Sequence, residues 1–220
     1  LKKIINRKEA GKLLGKSLKS YQSVKPVVLA IPRGGVEVGY YISRHLNCEL
    51  SVIIARRLAL ADHPEATFGA IAESETLYLN PWIKNKISNE EIHNVSEVEN
   101  KELIRRVSLY RIGKPLPELV NRTVIIVDDG IASGATIFAA IESCKKHHPA
   151  NIVVAAPVAG RHTIERLSGI VDDVCVLKTP DNFYSVLQAH EHFEKLDDEM
   201  VIKFLYQDHI SQGIKKNAIY

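Results

Sequence analysis

The sequence predicts an α/β domain of three layers, α/β/α, built on a mostly parallel sheet. Three observations carry that expectation: short, wholly apolar runs, amphipathic stretches that alternate with them, and glycine-rich turns closing two of the runs.

The elements follow in order. Ala10, Leu13, Leu14, Leu18 and Tyr21 recur at intervals of three and four, which predicts an amphipathic helix over 7–21. "PVVLAI" (26–31) is apolar throughout and bounded by turn formers, as a strand buried on both faces should be. After the turn "PRGG", residues 36–46 read as a helix and 50–55 as a second buried strand, completing a βαβ unit. "TFGAIAES" (67–74) is strand-like, and 88–111 carries mixed charge at helical spacing. Beyond it come a strand at 123–129, a helix at 134–147, the strand "NIVVAAPV", a helix at 161–168 and the strand "DVCVLKT". Neither repeats nor a Gly/Ser linker interrupt the chain, so 1–220 is expected to be one domain with 181–220 as a C-terminal appendage.

Composition bounds the function. At 220 residues the chain can bury roughly 70% of its unfolded surface without disulfides. Hydrophobic residues make up 45% and charged residues 25%, ordinary values for a globular domain. A formal charge of +3 without basic clusters suits an anionic small molecule and gives no footing for nucleic acid. Cys48, Cys144 and Cys175 are far apart, which predicts reduced structural thiols and a cytoplasmic setting. No apolar run reaches membrane-spanning length, and the start "LKKIINRKEAG" lacks a signal-peptide core, so neither export nor insertion is expected.

The chemistry lies in "VIIVDDGIASGAT" (124–136). Small residues after Asp129 coincide with the predicted start of a helix, where unobstructed N–H groups and the helix dipole favour a phosphate, with Ser133 and Thr136 as added donors. Asp128 and Asp129 close the strand at the edge where open α/β sheets bind ligands. Acids there would repel a phosphate but can accept hydrogen bonds from a sugar diol, with a hard divalent cation offsetting their charge. The bland alternative is a strand, a capping acid and a tight turn. In "PRGG", Gly34 and Gly35 permit backbone that bulkier residues resist, and Arg33 offers a fork of donors for phosphate oxygens. If the two strands are neighbours at the switch point, one site would hold a phosphorylated ribose bearing a diphosphate.

These stretches resemble a known family. "VIIVDDGIASGAT" is similar to the motif that binds 5-phosphoribosyl 1-diphosphate (PRPP) in type I phosphoribosyltransferases, and "IPRGG" to their pyrophosphate loop. "LAIPRGGVEVGY", "FGAIAE", "VAAPVAG" and "TPDNFYSVLQAHEHFEKLDDE" extend the resemblance to a bacterial branch of that family over nearly the whole chain. It implies that "TFGAIAES" runs antiparallel and that 181–220 forms a small hood. It also implies transfer of phosphoribosyl from PRPP to a nitrogenous base, with Mg²⁺ held directly or indirectly by Asp128 and Asp129. Asp128 and Asp129 would contact the ribose hydroxyls, Ala132, Ser133, Gly134, Ala135 and Thr136 the 5-phosphate, and Arg33, Gly34 and Gly35 the diphosphate, assisted by Arg56 or Arg57. Phe183 and Tyr184 would either stack on the base or pack within the hood.

The 6-oxopurine enzymes of the family carry a carboxylate where this chain has Ala132, so hypoxanthine and guanine are not the expected acceptors. A PRPP- or nucleotide-sensing regulator on the same fold is the rival reading, and a homodimer is left open. His147 and the "HEHFE" segment from His190 lack zinc-type partner sets, and Trp82 is expected to be packed rather than stacked on a ligand.

Overall fold

The two runs that end in the glycine turn and the acid pair form the middle of the molecule. In the computed structural model, which describes residues 6–60, 63–83, 86–181, 183 and 194–211, β1 (Val27–Ala30) and β6 (Thr123–Val127) are buried at every position. With β2 (Glu49–Val52), β7 (Asn151–Val158) and β8 (Asp173–Lys178) they make a five-stranded, wholly parallel sheet in the order β2-β1-β6-β7-β8. Burial on both faces is why β1 and β6 show no alternation in sequence. Their pairing runs from Val27 opposite Val124 to Ala30 opposite Val127, so both strands end at one level.

Helices cover both faces. Leu14 of α1 (Arg7–Ser17) and Val38 and Ile42 of α2 (Gly34–Leu46) pack on Val28, Ile125 and Val153. On the opposite face Ile137 and Ile141 of α4 (Ala135–Lys145) and Leu167 of α5 (Arg161–Ser168) pack on Val27, Leu29, Val124 and Ile126.

A second, smaller sheet is antiparallel: β3 (Ala55–Leu60), β4 (His63–Ala72) and β5 (Thr76–Leu79). The strand read from "TFGAIAES" is β4, and it runs antiparallel in this sheet rather than among the parallel strands. The run 50–55 proves to be two elements, because the chain leaves the main sheet at Ile53 and Ile54 and enters β3 at Ala55. Both sides of that crossing are buried, so the apolar pattern carries no mark of the change. Helix α3 (Asn89–Arg111) opens with a capping box between Ser88 and Glu91, and α3 and α6 (Asp198–Ser211) share a core cluster with Leu58 of β3 and Phe68 of β4.

Two further expectations shift. The first helix ends at Ser17 and continues as a 3₁₀ segment, Lys19–Val24, because serines at 17, 20 and 23 weaken the α-helix and Pro26 cannot extend it. Trp82 is 72% exposed in the turn after β5, so it is not a packed residue. The three cysteines are free thiols, and no described helix is long and apolar enough to cross a membrane.

Glu73, just past β4, ties the two sheets together. One of its oxygens accepts the Ile54 N–H at 2.8 Å, the other pairs with the Arg111 guanidinium, and its carbonyl accepts from the Ser143 hydroxyl at 2.8 Å. Both side chains of the pair are nearly buried. Glu73→Ala therefore leaves an uncompensated charge inside, and we expect unfolding free energy to fall by about 3–5 kcal/mol. Urea unfolding with an unchanged slope would read it, and a loss under about 1 kcal/mol would show that the pair does not hold the crossing.

Candidate active site

Because β1 and β6 finish side by side, the turns that follow them meet. The approach is close enough to dictate residue type. A Cβ on Gly34 would lie 1.8 Å from Asp129 Oδ2, and one on Gly35 would lie 2.6 Å from the Val127 carbonyl oxygen. Neither glycine has a positive φ, so contact with the acid loop, rather than backbone freedom, is what excludes larger residues. The Pro32–Arg33 peptide is cis, and α2 begins directly after it with Arg33 in the N-cap position.

Asp128 and Asp129 stand at the carboxyl end of β6. The Asp129 N–H donates to Asp128 Oδ1 at 2.8 Å. Arg7, at the start of α1, donates from Nε to Asp129 Oδ2 at 2.8 Å, brings Nη2 within 2.7 Å of the same oxygen, and reaches the Glu194 carbonyl at 2.7 Å. Burial, and then the neighbouring Asp129 charge, push the Asp128 carboxyl well above its ordinary value.

The turn after Asp129 leads into the start of α4. Ile131 is bridged to Ala159, the Thr163 hydroxyl donates to the Ala132 carbonyl at 2.8 Å, and Gly134 (φ 79°) caps α4 in the left-handed conformation. A Cβ on Gly134 would strike Phe138 and Thr163, so glycine is required there twice over. First-turn N–H groups of α4 have no intrahelical acceptor, and the dipole adds to their pull on an anion. Ser133 is exposed and Thr136 half-buried beside them, while Ala135 is buried.

A cavity of about 420 Å³ gathers Arg33, Gly34, Arg56, Arg57, Asp128, Asp129 and Thr136 around one space. Ala132 faces a second hollow of about 430 Å³, shared with Thr163 and Phe183. Phe183 is 8% exposed and packs against Ala10 and Val158; Tyr184 and His190 fall outside the described residues. The two arginines of β3 differ. Arg56 is bound to Glu99, with Nη2 2.7 Å from Oε2, whereas Arg57 is exposed and makes no ion pair among the described residues.

The family profile described as the phosphoribosyl transferase domain matches residues 3–193. The chain belongs to the phosphoribosyltransferase family. Two Mycobacterium tuberculosis proteins, each named "Putative phosphoribosyl transferase", are 34% identical to it over 207 residues, 93% of this chain and 46% of theirs. This phosphoribosyltransferase chain thus spans about half the length of the curated relatives it matches. The crystal structure of the TT1426 protein from Thermus thermophilus is 32% identical and superposes with a TM-score of 0.77, covering 93% of this chain and 98% of that one. The AQ2163 protein of Aquifex aeolicus, 15% identical with a TM-score of 0.53 over 91% of this chain and 83% of its own, shares the fold.

Several residues around this cavity carry no motif. Arg7 reads in sequence as one more charge on an amphipathic helix. Asp198, in the first turn of α6, lies 3.1 Å from Arg33 Nε and 3.1 Å from Arg105 Nη2, and accepts from the Tyr110 hydroxyl at 2.5 Å. Arg33 also donates to the Leu196 carbonyl at 3.3 Å. These partners lie 88 to 187 residues from the groups they hold, beyond the reach of any local pattern. Among the described residues no group of three or more metal-type side chains converges, and His147 instead meets the Ser74 hydroxyl at 2.9 Å.

The raised Asp128 fixes a pH dependence. The folded protein keeps the Asp128 proton to higher pH than the unfolded chain does, so the residue's contribution to stability falls as pH climbs from about 4 through its raised value. Asp128→Asn removes that loss. We expect the variant to match the parent near pH 4 and to exceed it by roughly 0.5–2 kcal/mol at pH 7–8 in ligand-free melting curves. An equal or lower melting temperature at pH 8 would contradict this.

Proposed function

We propose that the chain transfers a 5-phosphoribosyl group from PRPP to a nitrogenous base and releases pyrophosphate. One observation carries the reading: β1 and β6, paired in register, bring Arg33 and Gly34, the acid pair and Thr136 of the α4 start around a single cavity at the switch point of the sheet. The membership of the family supports it.

In this reading the first-turn N–H groups of α4, with Ser133 and Thr136, hold the 5-phosphate, and Asp128 and Asp129 accept from the ribose hydroxyls. Arg33 and Arg57 face the diphosphate, with Arg56 balanced by Glu99. Arg7 fixes Asp129 against the sugar. A ring nitrogen of the base attacks the anomeric carbon as the bond to the diphosphate oxygen breaks and its electron pair leaves with pyrophosphate; the nitrogen's proton is then lost. Positioning and fixed charge supply the acceleration, without a protein nucleophile.

Two adjoining carboxylates at the cavity are hard oxygen donors of the kind that suits Mg²⁺, which takes most of its oxygens from substrate and water. Asp128 and Asp129 would hold it, and when bound it neutralises charge on the leaving diphosphate. The protein would work in nucleotide metabolism in the cytoplasm.

The deciding measurement incubates the protein with PRPP, Mg²⁺ and a panel of bases and follows pyrophosphate. We expect turnover with at least one base, and a loss on the order of 10²-fold or more in Asp129→Asn with the circular dichroism spectrum unchanged. Tight PRPP binding without turnover across the panel would favour a sensor instead.

Ala132 makes a second outcome specific. Its methyl group can neither accept a purine proton nor hydrogen-bond a ring, so hypoxanthine and guanine should be poor acceptors beside adenine, orotate or uracil. Either one reacting with kcat/KM above about 10⁴ M⁻¹s⁻¹ would refute that.

A further inference from the structure

A larger hollow lies away from this site. It holds about 880 Å³ and opens at the amino ends of β1, β2 and β6, where Lys25, Cys48 and Arg122 enter the sheet. The PRPP-type turns sit at the carboxyl ends of the same strands, on the order of 15 Å away across a sheet five residues deep.

Its walls are cationic and aromatic. Lys25, Arg44, Arg111, Lys114 and Arg122 come from four separate segments, against Glu49 and Glu118. Arg122 is engaged within the wall, 2.9 Å from Glu49 and 3.1 Å from the Glu118 carbonyl. Lys25 and Lys114 make no ion pair among the described residues; the Lys114 ammonium lies 5.9 Å from the centre of the Tyr206 ring. Arg111 is the stronger sign. It is 5% exposed, one nitrogen binds Glu73, and its Nε and Nη1 are buried without a hydrogen-bond partner among the described residues. Buried guanidinium donors left unmade are costly, and native proteins seldom leave them so unless water or a ligand completes them. Facing the cations are Tyr40, Phe204 and Tyr206, with the Tyr40 and Phe204 ring centres 5.4 Å apart.

We propose that this hollow is a second ligand site, for a small polyanion that carries an aromatic ring, as a nucleotide does. The volume is within the range of small-molecule sites and exceeds what a bare diphosphate needs. Phosphate oxygens would take the exposed donors at the Lys25 and Lys114 end, with the buried Arg111 charge behind them, and the base would lie along the rings. The proposal holds whether or not the carboxyl-edge site turns over PRPP, because its test reads binding alone.

The probe is ATP, titrated calorimetrically into the intact chain without Mg²⁺. The expected result is a dissociation constant below about 1 mM, weakened about 10-fold or more in Lys25→Ala/Lys114→Ala and unchanged in Arg57→Ala, which alters only the carboxyl-edge cavity. Inorganic tripolyphosphate should bind about 5-fold or more weakly than ATP. Absence of binding, weakening by Arg57→Ala instead of by the lysine pair, or tripolyphosphate binding as tight as ATP would overturn the assignment.

Discussion

The parallel pairing of β1 with β6 is the contact on which the carboxyl edge depends. Ala30 and Val127 end their strands opposite one another, so the residues that follow begin from one line and must share the same few ångströms. The Ile31 N–H donates to the Val127 carbonyl at 2.8 Å and carries the pairing one step further. Shift that register by a single residue and every side chain of β6 would exchange faces, with Asp128 and Asp129 displaced from Arg33. The apolar content of both strands is therefore part of the site's geometry as well as of the core.

Charge at the edge is balanced internally. Asp129 is met by Arg7 and Arg33 by Asp198, while Arg56 is met by Glu99. Each pairing draws in an element from outside the main sheet: α1 for the acid, the start of α6 for the pyrophosphate-type loop, α3 for β3. The carbonyls of Glu194 and Leu196 accept from Arg7 and Arg33, so the segment before α6 lies across both loops at once. In the proposed function, a diphosphate arriving at Arg33 would compete with Asp198 for the same guanidinium. Preorganisation and occupancy are thus in tension there, and the partly exposed Arg33–Asp198 pair is the cheaper one to exchange.

Much of this was legible in the sequence. The buried strands announced themselves through unbroken apolar runs, and the phosphate-type turn through small residues at a helix start, because those signals are local and chemically narrow. The neighbouring position of β1 and β6 entered only as the condition for a shared site, and the parallel pairing meets it. What escaped was non-local. The crossing from β2 to β3 at Ile53 and Ile54 leaves no trace in an apolar pattern that stays buried throughout. Arg7, Glu99 and Asp198 look like any solvated helix charges until tertiary contacts give each a partner. Gly34 and Gly35 were legible as necessary, yet for a different physical reason: the closeness of another chain segment, not a left-handed turn.

That closeness links the histories of two positions. Since a methyl group at position 34 and the carboxylate at 129 would claim the same volume, neither can change size freely while the other stays as it is. A lineage that kept the acid would be bound to keep the glycine. One that lost the acid first would be released from it, and could then accept alanine or serine there at little cost. On sterics alone, a side chain at position 34 fits this backbone only once the carboxylate at 129 has moved or gone.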